Sequence, residues 1–400
     1  MAQNGAFPSP ETLLRGYVRI FLSCDIVGST AYKQRQEKAS ASSPSSSDWL
    51  LPFISFYRET GAAIILAEAR VNESLTKCKL FKEAGDPIEF WKGAGDELLF
   101  SRRIKSRFEA LASVLAFRDA VRTQRAGLKQ QVPPLNLKAT AWLAGFPVNN
   151  SEVVLGLAPE APRIEDTWIE NLLELHDRRS TPTGRDSLKV DFLGPSIDLG
   201  FRLCAHSTPQ EMAVSADLAL LLTRCCKEIA AFSPARKGGY LASNETTLGF
   251  RGSVELKGIL GGSNYPVFYV RDDKSDDLYD LEATLRGIEN PTLESIEEYL
   301  NSYLNPGSAL RMKPYFLDGL DDEFADIPPT HKERIANFRD RIAGQISRIE
   351  QSGIKDSVAK RIQAAETKVV LDVAGRAAKR KKPTSNRKLK GRQSSKSARR

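Results

Sequence analysis

The sequence predicts an α+β fold, an antiparallel sheet with helices packed on it, followed by a helical extension. Three observations carry this expectation. Strand-like and helical runs follow one another as β, α, α, β, β, α, β and then α, β, α, β, β, an order that fits adjacent antiparallel strands under a layer of helices. Two β-prone stretches, Val18–Thr30 and Phe90–Phe100, each place one aspartate beside glycine in apolar surroundings. The 400 residues give ample length for a large buried core.

Each element has its own justification. Residues 1–14 read as a short leader. Tyr17 to Asp25 is the first strand, and a helix begins at Ile26 and runs to about Lys38. Ala39–Ser47 is a polar, serine-rich insert. From Trp49 to about Ala69, Leu51, Ile54, Phe56, Ala62, Ile65 and Leu66 recur at helical spacing, with an interruption near Gly61. Residues 87–101 form a hairpin that turns at Gly93-Ala-Gly95, with Asp96 just after it. A helix from about Lys105 to Arg125 precedes a core strand, Leu135–Ala144, and a Gly-Phe-Pro turn. Residues 147–188 read as an irregular polar insertion. The acidic run from Asp272 marks a boundary, so residues 15–271 form one domain and 272–375 an appended helical segment. Helical spacing there covers 292–304 and 331–352.

The net charge of +8 is unevenly spread. From Arg376 onward the chain has twelve Lys and Arg and no acid, which leaves the remainder at −4. A tail of this composition, residues 376–400, is expected to be disordered. It can touch nucleic acid or an anionic membrane through charge alone, or serve only to solubilise. No apolar run reaches the ~18 residues of a membrane span, and the first residues lack a signal pattern. The expected compartment is therefore the cytoplasm. Five cysteines without metal spacing read as reduced thiols, and three scattered histidines do not suggest a zinc site.

Asp25, followed by Gly28, Ser29 and Thr30, sits where a strand turns into a helix and backbone N–H groups can cradle phosphate. Asp96 follows the hairpin turn. Two hard carboxylates from adjacent strands beside such a turn suit a pair of divalent ions, Mg²⁺ or Mn²⁺, holding a nucleoside triphosphate. Asp25 also reads as a plain helix N-cap.

Four stretches in order resemble the class III nucleotide cyclases: Asp25-Ile-Val-Gly-Ser-Thr30, Trp91-Lys-Gly-Ala-Gly-Asp96, Asp191–His206 with Met212–Ser215, and Val254–Gly258 ahead of Tyr265–Val270. The resemblance covers about residues 15–271. It implies that Asp25, Asp96 and the Ile26 carbonyl bind two metal ions, and that Ser29 and Thr30 help hold phosphates. It also implies that Arg202 stabilises the transition state and that Lys257 binds the β- and γ-phosphates. Asp198 stands where the family generally has asparagine, which alters how the ribose is oriented. Lys92 and Asp191 hold the base-selecting positions, and this pair matches the adenine-selecting one. The family works as a homodimer with each site built from both subunits.

The Trp-Lys hairpin, the Gly-Ser-Thr variant, the absence of an upstream sensor and the altered asparagine position further resemble the bacterial Pycsar pyrimidine cyclases. That resemblance implies a substrate of UTP, or else CTP, and a cyclic product that activates a separate effector during phage infection. Phe90 and Trp91 are then candidates to wall a small base pocket. A soluble adenylate cyclase and a catalytically inactive binding module remain as alternatives.

Overall fold

Strand β1 (Tyr17–Val27) sets the architecture because its side chains serve two cores. Ile20, Leu22, Cys24 and Ile26 are buried on one side of the sheet, and Phe21 is buried on the other. A strand that is apolar on both faces requires cover on both. The computed structural model describes residues 7–40, 49–80, 85–156, 166–232, 246–272, 277–285, 291–304, 308–317, 320–351 and 367–368.

Beyond β1, the strands are β2 (Glu89–Ala94), β3 (Glu97–Ile104), β4 (Asn136–Phe146), β5 (Ser151–Val154), β6 (Val190–Leu193), β7 (Glu211–Val214), β8 (Leu248–Glu255) and β9 (Asn264–Arg271). Seven of them form a sheet in the order β2-β3-β1-β4-β7-β9-β8, and β5 pairs with β6 separately. Every neighbouring pair in the large sheet is antiparallel except β4 with β7. The class is α+β as expected, with a mixed sheet because of that one joint.

The helices are α1 (Pro10–Leu13), α2 (Ser29–Ser40), α3 (Leu50–Lys77), α4 (Arg107–Gln131), α5 (Thr167–Ser180), α6 (Pro182–Ser187), α7 (Pro195–Leu203), α8 (Ala216–Ala230), α9 (Asp277–Leu285), α10 (Leu293–Tyr303) and α11 (Pro329–Gln351). Helices α3, α4 and α8 bury their apolar stripes against the Ile20–Ile26 face. The opposite face is covered too. There Phe21, Leu99, Trp142 and Phe146 meet Phe192 of β6 and Ile197 of α7. Helix α7 approaches so closely that a methyl at Gly200 would overlap the Trp142 ring, 2.1 Å from its nearest atom, and only glycine fits there.

Several sequence expectations change. Helix α3 runs unbroken through Gly61, because core packing of Phe56, Ala63, Ile64 and Ala67 on both sides of it outweighs the local cost of glycine. The described part of residues 147–188, which is 147–156 and 166–188, is not irregular. It supplies β5, β6's approach and helices α5 and α6, the first capped by the Asp166 carboxylate and burying Ile169, Leu172, Leu173 and Leu175. Its many charged residues hid this spacing.

Residues before and after the expected domain also enter cores. Leu13 and Leu14 pack with Ile169, Leu172, Leu173 and Ile342, joining α1, α5 and α11. Ile296, Leu300 and Leu304 belong to the main core. Asp272, 2% exposed, is an ion-pair partner of both Arg122 and Arg125.

By length and composition α3 is long and apolar enough to cross a membrane. Arg58, Glu59, Glu68 and Arg70 break its sequence into shorter apolar runs. One side is built into the core, while Leu51, Ile54, Ile65 and Leu66 face outward. Of the polar insert at 39–47, residues 39 and 40 end α2 and the rest lie outside the described residues, as does the basic tail at 376–400.

Candidate active site

The β1 register brings three charged residues into one row. Asp25 is opposite Glu97 of β3 on one side and Lys138 of β4 on the other, on the face that carries Phe21. Lys138 Nζ lies 3.2 Å from Asp25 Oδ2 and donates to the Cys204 carbonyl at 3.1 Å. It thereby ties the end of α7 to the Asp25 row. Glu97 accepts a hydrogen bond from Ser23 and contacts Cys204 Sγ at 3.4 Å.

Asp96 occupies the two-residue turn between β2 and β3, after Gly95 with its φ of 72°. Its carbonyl accepts from the Ile26 N–H at 3.3 Å, and its carboxylate accepts from the buried Ser29 hydroxyl. Ser29 is therefore turned onto the carboxylate, while Thr30 is exposed. Gly28, with φ of 86°, lets the chain leave β1 and start α2 at Ser29. Asp25 lies four residues earlier, inside β1, so it is not the cap of that helix.

Asp25 feels the charges of Asp96 and Glu97. Burial pushes the Asp25 carboxyl up, the Lys138 charge and hydrogen bond hold it down, and the charges of Asp96 and Glu97 push it up again. Lys138 contacts Asp25, while Ser29 holds the Asp96 carboxylate and Ser23 that of Glu97. Among the described residues no three His, Cys, Asp or Glu side chains converge as a self-sufficient metal site. The donor set of Asp25, Asp96 and the Ile26 carbonyl fits hard divalent ions that take their remaining ligands from phosphate and water.

On the same face, Lys92 Nζ contacts Asp191 at 2.9 and 3.2 Å and Trp91 Nε1 donates to Asp191 Oδ1 at 3.0 Å. Burial alone would raise the Asp191 carboxyl. Hydrogen bonds from Lys92, the Phe192 N–H and Trp91, with the Lys92 charge, hold it below the usual range. Two adjacent residues reach the same carboxylate because β2 has a bulge between Phe90 and Lys92. Trp91 packs edge-on against Phe21 and Phe192, each at 5.2 Å between ring centres. Phe90 does not share this wall. It stands on the opposite face against Phe100, 58% exposed, as the alternation of adjacent strand residues requires.

Asp198 and Arg202 are exposed one turn apart on α7. Lys257 lies in the turn after β8 rather than on the strand, and is exposed. Four strand spacings separate β8 from β1, roughly 19 Å, so one chain does not bring Lys257 to Asp25. Sequence reading missed Lys138, Glu97 and Tyr57, an α3 residue whose hydroxyl donates to the Gly95 carbonyl beside Asp96. A lysine inside the apolar run Leu135–Ala144 was the available signal for the first. The others depend on register and on helix placement.

No family model matches the chain, and no curated protein sequence matches it. Solved structures do. The adenylyl cyclase CyaB from P. aeruginosa is 13% identical, with 65% of this chain and 97% of that one covered, at a TM-score of 0.38. A bacterial light-regulated adenylyl cyclase is 12% identical over 68% of this chain and 99% of that one, at 0.32. The guanylate cyclase domain of RhGC from Catenaria anguillulae, in complex with GTP, is 9% identical over 64% and 96%, at 0.30. All three alignments score below 0.5, too low to carry a statement about activity.

Proposed function

We propose that this chain is a metal-dependent nucleotide cyclase of the class III type, converting a nucleoside triphosphate to its 3′,5′-cyclic monophosphate and pyrophosphate. The convergence of Asp25 and Asp96 on one corner carries the reading. Two divalent ions bound there would supply Lewis acidity to the ribose 3′-hydroxyl and charge neutralisation to the phosphates.

The chain's own residues do the rest. Ser29 and Lys138 orient the two carboxylates. The Arg202 guanidinium, always charged and planar, is suited to the equatorial oxygens of the α-phosphorus during in-line attack. Lys257 serves the β- and γ-phosphates. Its separation from Asp25 within one chain supports a site completed by a second copy, related by two-fold symmetry. Asp198 adds a negative charge beside Arg202, and its role is to orient the ribose through that arginine.

Lys92 and Asp191 face the base, and we favour a pyrimidine, UTP ahead of CTP, with the product acting as an antiphage messenger on a separate effector. The bulk of Trp91 beside Lys92 supports a small base. The intact Lys92–Asp191 pair favours a second reading, adenylate cyclase, in which that pair reads adenine. Incubating the protein with Mn²⁺ and each of ATP, GTP, CTP and UTP, then identifying products by mass, separates the two. Cyclic UMP is the expected product. Cyclic AMP alone would replace the pyrimidine reading with the second one, and no product from any nucleotide would leave an inactive binding module.

A further inference from the structure

The tip of the hairpin that carries Asp96 has little packing of its own, since Gly93, Ala94 and Gly95 are small and exposed. Strand β2 is the edge of the sheet, and all six of its residues are exposed or half-buried. A two-residue turn at such an edge opens readily unless something outside the hairpin fixes it. From the β1 side, the Ile26 N–H and the Ser29 hydroxyl reach Asp96. From the other side comes a residue of α3: the Tyr57 hydroxyl donates to the Gly95 carbonyl at 2.5 Å.

The glycines of the turn motif match this contact. A methyl at Gly93 would lie 3.0 Å from the Tyr57 hydroxyl and 3.1 Å from its ring carbon Cε1. The ring therefore rests on Gly93, and a side chain there would push it away. Gly95 adopts a positive φ, which turns its carbonyl toward the tyrosine. Neighbours Phe53, Phe56 and Thr60 are buried in the core, so Tyr57 projects from a rigid stretch of helix.

We propose that Tyr57 is a positioning residue for Asp96, fixing from α3 the turn that presents this carboxylate to a divalent ion. The proposal rests on the reading of Asp96 as a metal ligand. Tyr57 touches neither substrate nor metal. It narrows the range of carboxylate positions, which a small ion with strict geometry senses more sharply than overall stability does.

The test uses the full-length protein and Mn²⁺ alone, with binding followed by electron paramagnetic resonance and folding by thermal melting. Tyr57→Phe removes one hydroxyl and should weaken Mn²⁺ binding roughly fivefold, the scale of one net hydrogen bond, while the melting temperature stays unchanged. Gly93→Ala keeps the hydroxyl but displaces the ring and should give a similar loss. The double variant should be no worse than the weaker single one, because both changes break one contact. Asp96→Asn serves as the reference that loses the site.

Wild-type binding by both Tyr57→Phe and Gly93→Ala, with loss in Asp96→Asn, would overturn the role of Tyr57 and leave the cyclase reading standing. Equal binding by wild type and Asp96→Asn would overturn that reading and the proposal with it. Additive losses in the double variant would show two separate effects and overturn the shared contact. Should Tyr57→Phe melt early, the Gly93→Ala result decides.

Discussion

Lys92 Nζ and Asp191 Oδ1 are 2.9 Å apart, although 99 residues separate them in the chain. The contact joins the edge hairpin to β6, the strand that leads into α7, the helix bearing Arg202. Both side chains are about one-third exposed, which limits what the ion pair itself contributes.

Asp191→Asn should therefore lower the unfolding free energy by only about 1 kcal/mol at pH 7. The Asp191 carboxyl is held below its usual range, so its contribution is present above the unfolded value near pH 4 and fades as pH falls through the folded value. Urea unfolding at pH 7 and at about pH 2 checks this. The gap between wild type and variant should close at the lower pH.

Replacing Asp25 or Asp96 with Asn should abolish turnover without unfolding the protein. Because burial and the charges of Asp96 and Glu97 push the Asp25 carboxyl up, Asp25→Asn should melt no earlier than wild type and lose activity nonetheless, a separation expected where function costs stability. Parallel measurement of cyclase activity and melting temperature gives both halves. A large drop in melting temperature would assign Asp25 a structural role.

Two groups at the far end of the sheet should give pH dependences of opposite sign. Asp217 and His331 line one cavity with Tyr17, Asn149, Ser196 and Tyr315. Burial pushes Asp217 up to about 6 against bonds from the Ser215 hydroxyl and the Leu218 N–H. Stability linked to it is present below about pH 4 and lost as pH rises to about 6. Burial and the Arg334 charge push His331 down to about 4, so its contribution is present above about pH 6.5 and lost as pH falls toward 4. Melting curves from pH 4 to 7 should show Asp217→Asn gaining most near neutrality and His331→Gln flattening the acid side.

Ending the chain at residue 275 should yield insoluble protein, because Ile296, Leu300 and Leu304 would leave the main core open. Asp272→Asn alone should cost about 3 kcal/mol, since Arg122 and Arg125 lose a buried counter-charge. Deleting only 376–400 should leave cyclase activity intact, because no proposed site residue lies there. Solubility, urea unfolding and activity assays of the three proteins check these outcomes.

Local chemistry made much of the fold readable. β1, the hairpin, α4 and β4 are apolar β-prone or helix-prone runs bounded by turn residues, and their strands and helices fall close to the expected spans. Asp25 and Asp96 stood out because acids beside glycine interrupt apolar runs. What stayed hidden depends on through-space partners. Lys138 gains meaning only from the register that sets it opposite Asp25, and Tyr57 only from the angle at which α3 crosses the hairpin tip. Phe90 and Trp91 fall on opposite faces by ordinary alternation, and one irregular step in pairing keeps Lys92 on the face of Trp91.

That step makes Trp91 a supernumerary residue. Phe90 pairs with Phe100 and Lys92 with Leu99, which leaves the indole outside the count. Excising Trp91 would close the ladder without moving any other side chain across the sheet, so Lys92 would still face Asp191. Such a hairpin can acquire or shed a bulky wall beside Lys92 in one evolutionary event, without rewriting the strand around it.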